Sequence, residues 1–439
     1  MDISKKRLGL SLSGGGYRAA AFHLGTLKKL DEMGVLEKVD VMSTISGGSI
    51  TGAAYCLHNG SYSEFHSYMR EKLEGSNVIG FLLKSGATLL AGFFVLAFLA
   101  LAVYFLFRTN YPWLSFVVLA LMLFLFYKFQ FRIWPVSTVI ENAYDSFLFE
   151  GKTLKQLNEK PLLAIGSSNI QTGRPFTFSR KKMGDSTYSF YKPPIYFLHE
   201  NFPVSRAVMA SSCVPFAFSP VSIDKKFFRI ESDFERIDPK LIDGGVYDNQ
   251  GIQKITQKGS SYECDLIVTS DAGAGMGLKG SYDNTLALLI RTVDVFMKRI
   301  KSVQMEENLY DNSGKPIAYF SLGWRIENCI DGFIRNMENK TILLEVLHAH
   351  SFPQLWIDDP KEYKEDIRKY LMEKTGYLKI AARDLSRAEW VEACKTATNL
   401  TPLKKRRVDL LIRQAENLAE LQLKLYLPMV LSRKVVNSE

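Results

Sequence analysis

The sequence is short of the features that would settle its class at once. Its five cysteines (Cys56, Cys213, Cys264, Cys329 and Cys394) are odd in number, scattered and without a C-x-x-C pair. Neither a disulfide framework nor a cysteine zinc site is implied, and they suit reduced, buried thiols in a reducing compartment. The opening Met1-Asp2-Ile3-Ser4-Lys5-Lys6-Arg7 leads straight into a strand pattern, so no secretory signal is expected. The net charge of +9 over 439 residues is a mild excess, with no zinc-finger spacing or recognition-helix pattern beside it. That leaves an anionic membrane surface a better partner than nucleic acid. Internal repeats, low-complexity stretches and calcium-loop spacing are all missing, so no metal and no cofactor are expected. What the chain has in quantity is apolar residues, 47% against 23% charged. That is enough for one large domain with an insertion, or for two or three domains.

Two stretches repeat one design. Leu8-Gly9-Leu10-Ser11-Leu12 alternates apolar and small residues and predicts a strand. Ser13-Gly14-Gly15-Gly16-Tyr17-Arg18 follows, and Ala19 to Met33 has helical periodicity ending at Gly34. A glycine-rich loop between strand and helix serves as a phosphate cradle or an oxyanion hole, because both use backbone N–H groups at the positive end of a helix. No Walker lysine and no complete G-x-G-x-x-G is present, which makes a nucleotide site the weaker reading. In the second unit Val39 to Met42 predicts a buried strand, Ser43-Thr44-Ile45-Ser46-Gly47-Gly48-Ser49 a sharp turn, and Ile50 onward a helix. Thr44-Ile45-Ser46-Gly47-Gly48 is G-x-S-x-G with its first glycine replaced, and it makes Ser46 the candidate nucleophile. Consecutive units of this kind predict parallel neighbours. Both loops then lie at one sheet edge, with the Gly15 and Gly16 amides near a carbonyl attacked by Ser46.

Ser85 to Phe107 carries no charge over 23 residues, roughly 34 Å as helix and enough to span a bilayer core. After the turn Arg108-Thr109-Asn110-Tyr111-Pro112, Trp113 to Tyr127 is apolar again. At about 22 Å it reaches spanning length only if neighbouring residues such as Phe129 to Phe131 join it. Trp113, Tyr127 and Trp134 suit an interface. A buried hairpin of a soluble core is the alternative. Arg70, Lys72 and Lys84 before the pair, with Lys128 and Arg132 after it, outnumber Arg108 in the turn, which places the Ser46 side in the cytoplasm.

Further on, Leu154 to Asn158 resembles a helix end, Pro161 to Ser168 a strand, and Ser205 to Ser212 a short helix. Leu241-Ile242-Asp243-Gly244-Gly245 sets a carboxylate at a strand end. Asp271, after the strand Leu266 to Ser270, is its rival. From Leu286 on, the pattern is mostly helical. Thr401-Pro402 would cap a long helix whose Val408, Leu411, Ile412, Ala415, Leu418 and Ala419 face the core.

Four stretches in this order resemble the patatin-like phospholipases: Ser13 to Arg18, Ser43 to Ser49, Ala210-Ser211-Ser212-Cys213-Val214-Pro215-Phe216, and Asp243-Gly244-Gly245. The resemblance covers Leu8 to about Gly275, apart from the hairpin. It implies a three-layer α/β sandwich around a largely parallel sheet, interrupted by a transmembrane hairpin. It also implies a serine–aspartate dyad, with Ser46 as nucleophile and Asp243 as base. Gly14, Gly15, Gly16 and Arg18 would form the oxyanion loop, Arg18 bracing it or meeting a phosphate group. His23 is then a packed or supporting residue, a Ser–His–Asp triad being the lesser possibility. The expected division is 1–84 and 132–282 as the catalytic domain, 85–131 as the hairpin and 283–439 as a helical region packed on it. The implied partners are an acyl-lipid substrate and the bilayer. A membrane scaffold without esterase activity and a soluble serine peptidase remain alternatives from other classes.

Overall fold

Each of the first two strands ends in small residues that free the chain to turn. Leu8–Leu12 (β1) passes through Ser13, Gly14 and Gly15 into the helix Gly16–Glu32 (α1), and Val39–Ile45 (β2) passes through Ser46 into Gly47–Leu57 (α2). The structure is a computed structural model and describes residues 6–275, 282–310 and 314–431. The apolar pair follows as Gly86–Arg108 (α3) and Leu114–Ile133 (α4), then Val136–Tyr144 (α5). Next come Leu162–Asn169 (β3), Arg174–Phe178 (β4), Met183–Gly184 (β5), Val204–Ser211 (α6), Val221–Ser222 (β6), Lys240–Asp243 (β7) and Leu266–Asp271 (β8). The remainder holds Thr285–Met305 (α7), Ile317–Ser321 (β9), several shorter helices and Lys405–Tyr426 (α8).

The sheet runs β5-β4-β3-β2-β1-β8-β9, with β7 pairing β3 and β6. The five strands from β3 to β9 along that path are mutually parallel, and the pairs involving β4, β5, β6 and β7 are antiparallel. The central strands are covered on both sides, so their small and polar residues, Ser11, Ser43, Thr44 and Thr269 among them, are buried with the apolar ones. One layer holds α1, α2 and α8 with Leu8, Leu10 and Leu12, and the other holds Val41, Ile252, Ile255 and Ile267. Val408, Leu411, Ile412, Ala415, Leu418 and Ala419 are all buried on α8. That face presses so close to α1 that a Cβ on Gly25 would stand 2.3 Å from the Ile412 carbonyl oxygen.

Three local expectations give way. Leu154–Gln156 is a single 3-10 turn, since Leu154 and Lys155 donate their amides to Phe202 and Glu200. Thr401 and Pro402 cap nothing, because the Leu403 amide is held by the Leu73 carbonyl and α8 starts at Lys405. The C-terminal region also supplies β9, a strand of the central sheet that the helical pattern concealed. In the apolar pair, α4 runs past Tyr127 to Ile133, with a break in helical geometry at Phe129 (φ −120°, ψ 15°). Both apolar segments are long enough to cross a membrane, with mean hydropathies of 2.7 and 2.0. Each leans on the other, with the Phe94 and Phe126 rings 6.3 Å apart, yet only Ala91, Ala102, Ser115 and Val118 are buried.

Candidate active site

The geometry of the site follows from one edge of β3. In register, Ile45 of β2 stands opposite Gly166, and at the next position Ser167 stands opposite Asp243 of β7. The edge passes from β2 to β7 between those two positions. Ser46, just after Ile45, and Asp243 are therefore delivered side by side, each only 6% exposed. Ser46 has φ 49° and ψ −116°, a conformation that costs a non-glycine residue about 1–3 kcal/mol and persists only where the surroundings enforce it. The enforcement is visible. The Ser46 amide donates to Ser211 Oγ at 2.9 Å, and that hydroxyl donates to the Gly166 carbonyl at 2.6 Å and sits 2.9 Å from Ser49 Oγ. The Gly48 amide donates to the Ser13 carbonyl at 3.1 Å. Gly47 lies so close to the glycine loop that a Cβ there would be 2.2 Å from the Gly16 carbonyl oxygen.

Asp243 Oδ1 accepts the Gly245 amide at 2.7 Å, and its own amide donates to Cys213 at 2.8 Å. Burial raises its pKa from 3.8 to about 6, the Gly245 amide and the Ser46 hydroxyl offsetting part of that rise. A base of that strength suits proton transfer near neutrality. If it serves as base, activity should climb with pH, reach half its plateau near pH 6 and then stay level. A kcat/KM profile that is flat from about pH 5 to 8 would remove Asp243 from that role.

The rival carboxylate is tied up elsewhere. Burial raises the Asp271 pKa, but the Lys301 ammonium, the Tyr319 hydroxyl at 2.6 Å and the Gly273 amide at 2.9 Å outweigh it and hold the group at about 2. His23 is buried, with Nδ1 2.9 Å from Ser270 Oγ and Nε2 2.9 Å from the Ser13 carbonyl. Both ring nitrogens are therefore occupied. Burial lowers its pKa to about 4, so the ring stays neutral.

The glycine loop crosses directly over the serine: a Cβ on Gly14 would lie 3.2 Å from Ser46 Cβ. Gly14 departs from expectation, because its amide already donates to the Asn249 carbonyl at 2.9 Å and has no proton left for an oxyanion. Gly15 (φ 141°) and Gly16 (φ 56°) adopt backbone conformations that need glycine. Among the described residues, the amides of Gly15, Gly16 and Gly47 donate to nothing. Arg18 turns away from Ser46: its guanidinium donates to the Thr396 carbonyl at 3.3 Å, and the Tyr17 amide donates to Asn399 at 2.9 Å. The loop is thus braced by the segment before α8. Among the described residues no three His, Cys, Asp or Glu side chains gather as metal ligands would.

Three contributors escaped sequence reasoning. Ser211 lies within a motif yet gave no sign that it anchors the Ser46 amide. Asn249 acts through its carbonyl, which no side-chain pattern reveals. The Gly47 amide, the first of α2, follows the twisted Ser46 and donates to nothing among the described residues.

The model of the patatin-like phospholipase family matches residues 10–254, more than half of the chain, and the chain belongs to that family. Among solved structures it is similar to human GIVD cytosolic phospholipase A2 in complex with methyl gamma-linolenyl fluorophosphonate, at 16% identity and a TM-score of 0.47, covering 97% of this chain and 60% of that one. It is also similar to VipD from Legionella pneumophila (14%, TM-score 0.33, 97% and 87%). A chain of the SpcU–ExoU complex from Pseudomonas aeruginosa is a third (15%, TM-score 0.24, 95% and 70%). This chain thus spans three-fifths or less of the human phospholipase chains it matches. Among curated protein sequences there is no match.

Proposed function

We propose that this protein is a membrane-anchored serine acyl hydrolase that cleaves fatty-acyl esters of membrane lipids. The observation that carries this is the register of β3, which sets the twisted Ser46 beside a buried carboxylate under two amides without acceptors. Asp243 takes the proton as Ser46 Oγ attacks the ester carbonyl. The Gly15 and Gly16 amides, with Gly47 as a third donor, hold the oxyanion. Each such donor typically contributes about 10²–10³-fold. The proton passes to the leaving alcohol. Water, deprotonated by Asp243, then attacks the acyl-enzyme; the acyl–Ser46 Oγ bond breaks, the proton passes from Asp243 to Ser46 Oγ, and the fatty acid leaves.

The anchor is the α3–α4 hairpin, with basic residues at its base favouring a cytoplasmic catalytic domain. The hairpin base is also wired to the site. Trp134 Nε1 donates to Thr88 Oγ1 at 2.9 Å, Ser137 Oγ donates to the Ser219 carbonyl, and the Cys213 carbonyl in the same loop accepts the Asp243 amide. Residues 1–84 and 132–282 then form one catalytic unit that the hairpin interrupts, with 283–439 completing its sheet and bracing its loop. A substrate held in the same bilayer reaches the site at high effective concentration.

The test is acyl release from liposomes whose phospholipid carries distinguishable chains at its two glycerol positions, with fluorophosphonate labelling mapped by mass spectrometry. Release with the label on Ser46 is expected, and the chain released names the position. Release with the label elsewhere would remove Ser46 as nucleophile, and no label with no release would overturn the reading in favour of a scaffold.

A further inference from the structure

Helix α7 leaves most of its large apolar side chains uncovered by the described residues. On a surface helix of a water-soluble domain, apolar residues face the core and charged ones face outward. The inward side of α7 mixes polar and apolar groups: Lys301 pairs with the buried Asp271 and Gln304 hydrogen-bonds Asp248, while Met297 reaches Gly245 and Met305 packs on the apolar cluster of Val41 and Ile267. The outward side carries Leu288, Leu289, Val295 and Phe296, all exposed and in two pairs seven residues apart, hence on one face. Phe296 is 62% exposed. Gln304 is the one fully buried residue of the helix.

The position of α7 matters as much as its pattern. Met297 Cε stands 2.9 Å from where a Cβ on Gly245 would be, and so does Asp243 Oδ1. The helix therefore passes close to Asp243, on the side of Gly245. The loop after Cys213, whose carbonyl accepts the Asp243 amide, exposes Val214 and Phe216. That loop is bonded to α5 at the base of the apolar hairpin. The site is thus bordered by apolar surfaces on α7 and on the loop after Cys213 that the described residues leave uncovered. Lys298 and Arg299, both exposed, lie on α7 beside its apolar face.

We infer that α7 is an interfacial helix that docks its outward face into the surface of an anionic lipid bilayer, holding the mouth of the site against the lipid. Apolar side chains reach the acyl boundary, and Lys298 and Arg299 meet acidic head groups, the composition expected of a helix lying in a membrane plane. The exposed Lys298 and Arg299 and the bond from the loop after Cys213 to the base of the hairpin favour an anionic lipid surface over a protein partner. The inference rests on the reading that the hairpin spans the bilayer.

The test uses the full chain in nanodiscs of phosphatidylcholine and phosphatidylglycerol, in a Cys394→Ser background. An environment-sensitive label is placed at Phe296→Cys, or on the opposite face at Asp294→Cys. Lipid brominated on its acyl chains should quench the first label strongly and the second weakly. Separately, Leu289→Ser with Phe296→Ser should lower turnover of nanodisc phospholipid by about tenfold while leaving a water-soluble short-chain ester within about twofold. Equal or absent quenching at the two positions overturns the docking, as does a double variant with unchanged lipid turnover. Quenching at 296 in a protein that turns over neither substrate supports the docking and defeats the proposed activity instead.

Discussion

Ser46→Ala, Asp243→Asn and the double variant are expected to fall to one common floor, about 10⁴-fold or more below wild type in acyl release. Groups that act as a unit are lost as a unit, so removing the second after the first changes little. Two further losses multiplied together in the double variant would mean that Asp243 acts apart from Ser46. The same aspartate gives a second readout with the opposite sign. Its folded pKa of about 6 lies above the ordinary 3.8, so the native state binds the proton more tightly than the unfolded chain. The ionised group therefore opposes folding. That cost is absent below about pH 4, grows as pH rises and is complete above about pH 6, where a shift of this size amounts to about 3 kcal/mol. Asparagine keeps an oxygen for the Gly245 amide and carries no charge. Asp243→Asn should therefore melt higher than wild type at about pH 8 and no higher at about pH 4. A variant that is inactive and less stable at both values would show that the aspartate serves the fold and would remove the pH-linked argument for its role as base.

What the sequence disclosed and what it hid separate along a physical line. Local chemistry was legible. Glycines and serines after an apolar run announced both strand-turn-helix units, and the stretch after Ser85 announced its helix by the absence of charge. Helix α8 declared its core face through spacing alone. What depends on distant partners was hidden. No local pattern says that β3 hands its edge from β2 to β7, although that handover joins residues 46 and 243. Ile317–Ser321 is a run of four apolar residues closed by a serine; in a strand buried on both faces there is no alternation to mark it. Thr401-Pro402 has the chemistry of a helix start, but the Leu403 amide is claimed by Leu73 and the chain stays extended for two more residues. Gly14 looked equivalent to its two neighbours until Asn249 took its proton.

Gly48→Ala is expected to be strongly destabilising although it adds a single methyl. Its Cβ would stand 2.3 Å from the Leu12 carbonyl oxygen, 2.7 Å from the Leu12 carbonyl carbon and 2.8 Å from the Ser13 carbonyl oxygen. All three are backbone atoms, so no rotamer change relieves the clash; β1 and α2 must separate. The cost should be about 3 kcal/mol or more, at the upper end for overpacking. The displaced atoms lead straight into Gly14, Gly15 and Gly16, so acyl release should fall even in molecules that remain folded. Gly92→Ala is the matched control: nothing lies within 4 Å of the added Cβ. Alanine in the middle of a helix is favoured over glycine by about 1 kcal/mol. Thermal melts of the two variants beside wild type, with release measured below the lower transition, decide the matter. If Gly48→Ala melts and turns over like wild type, β1 and α2 are not in the contact described here, and the glycine loop is not held over Ser46 by it.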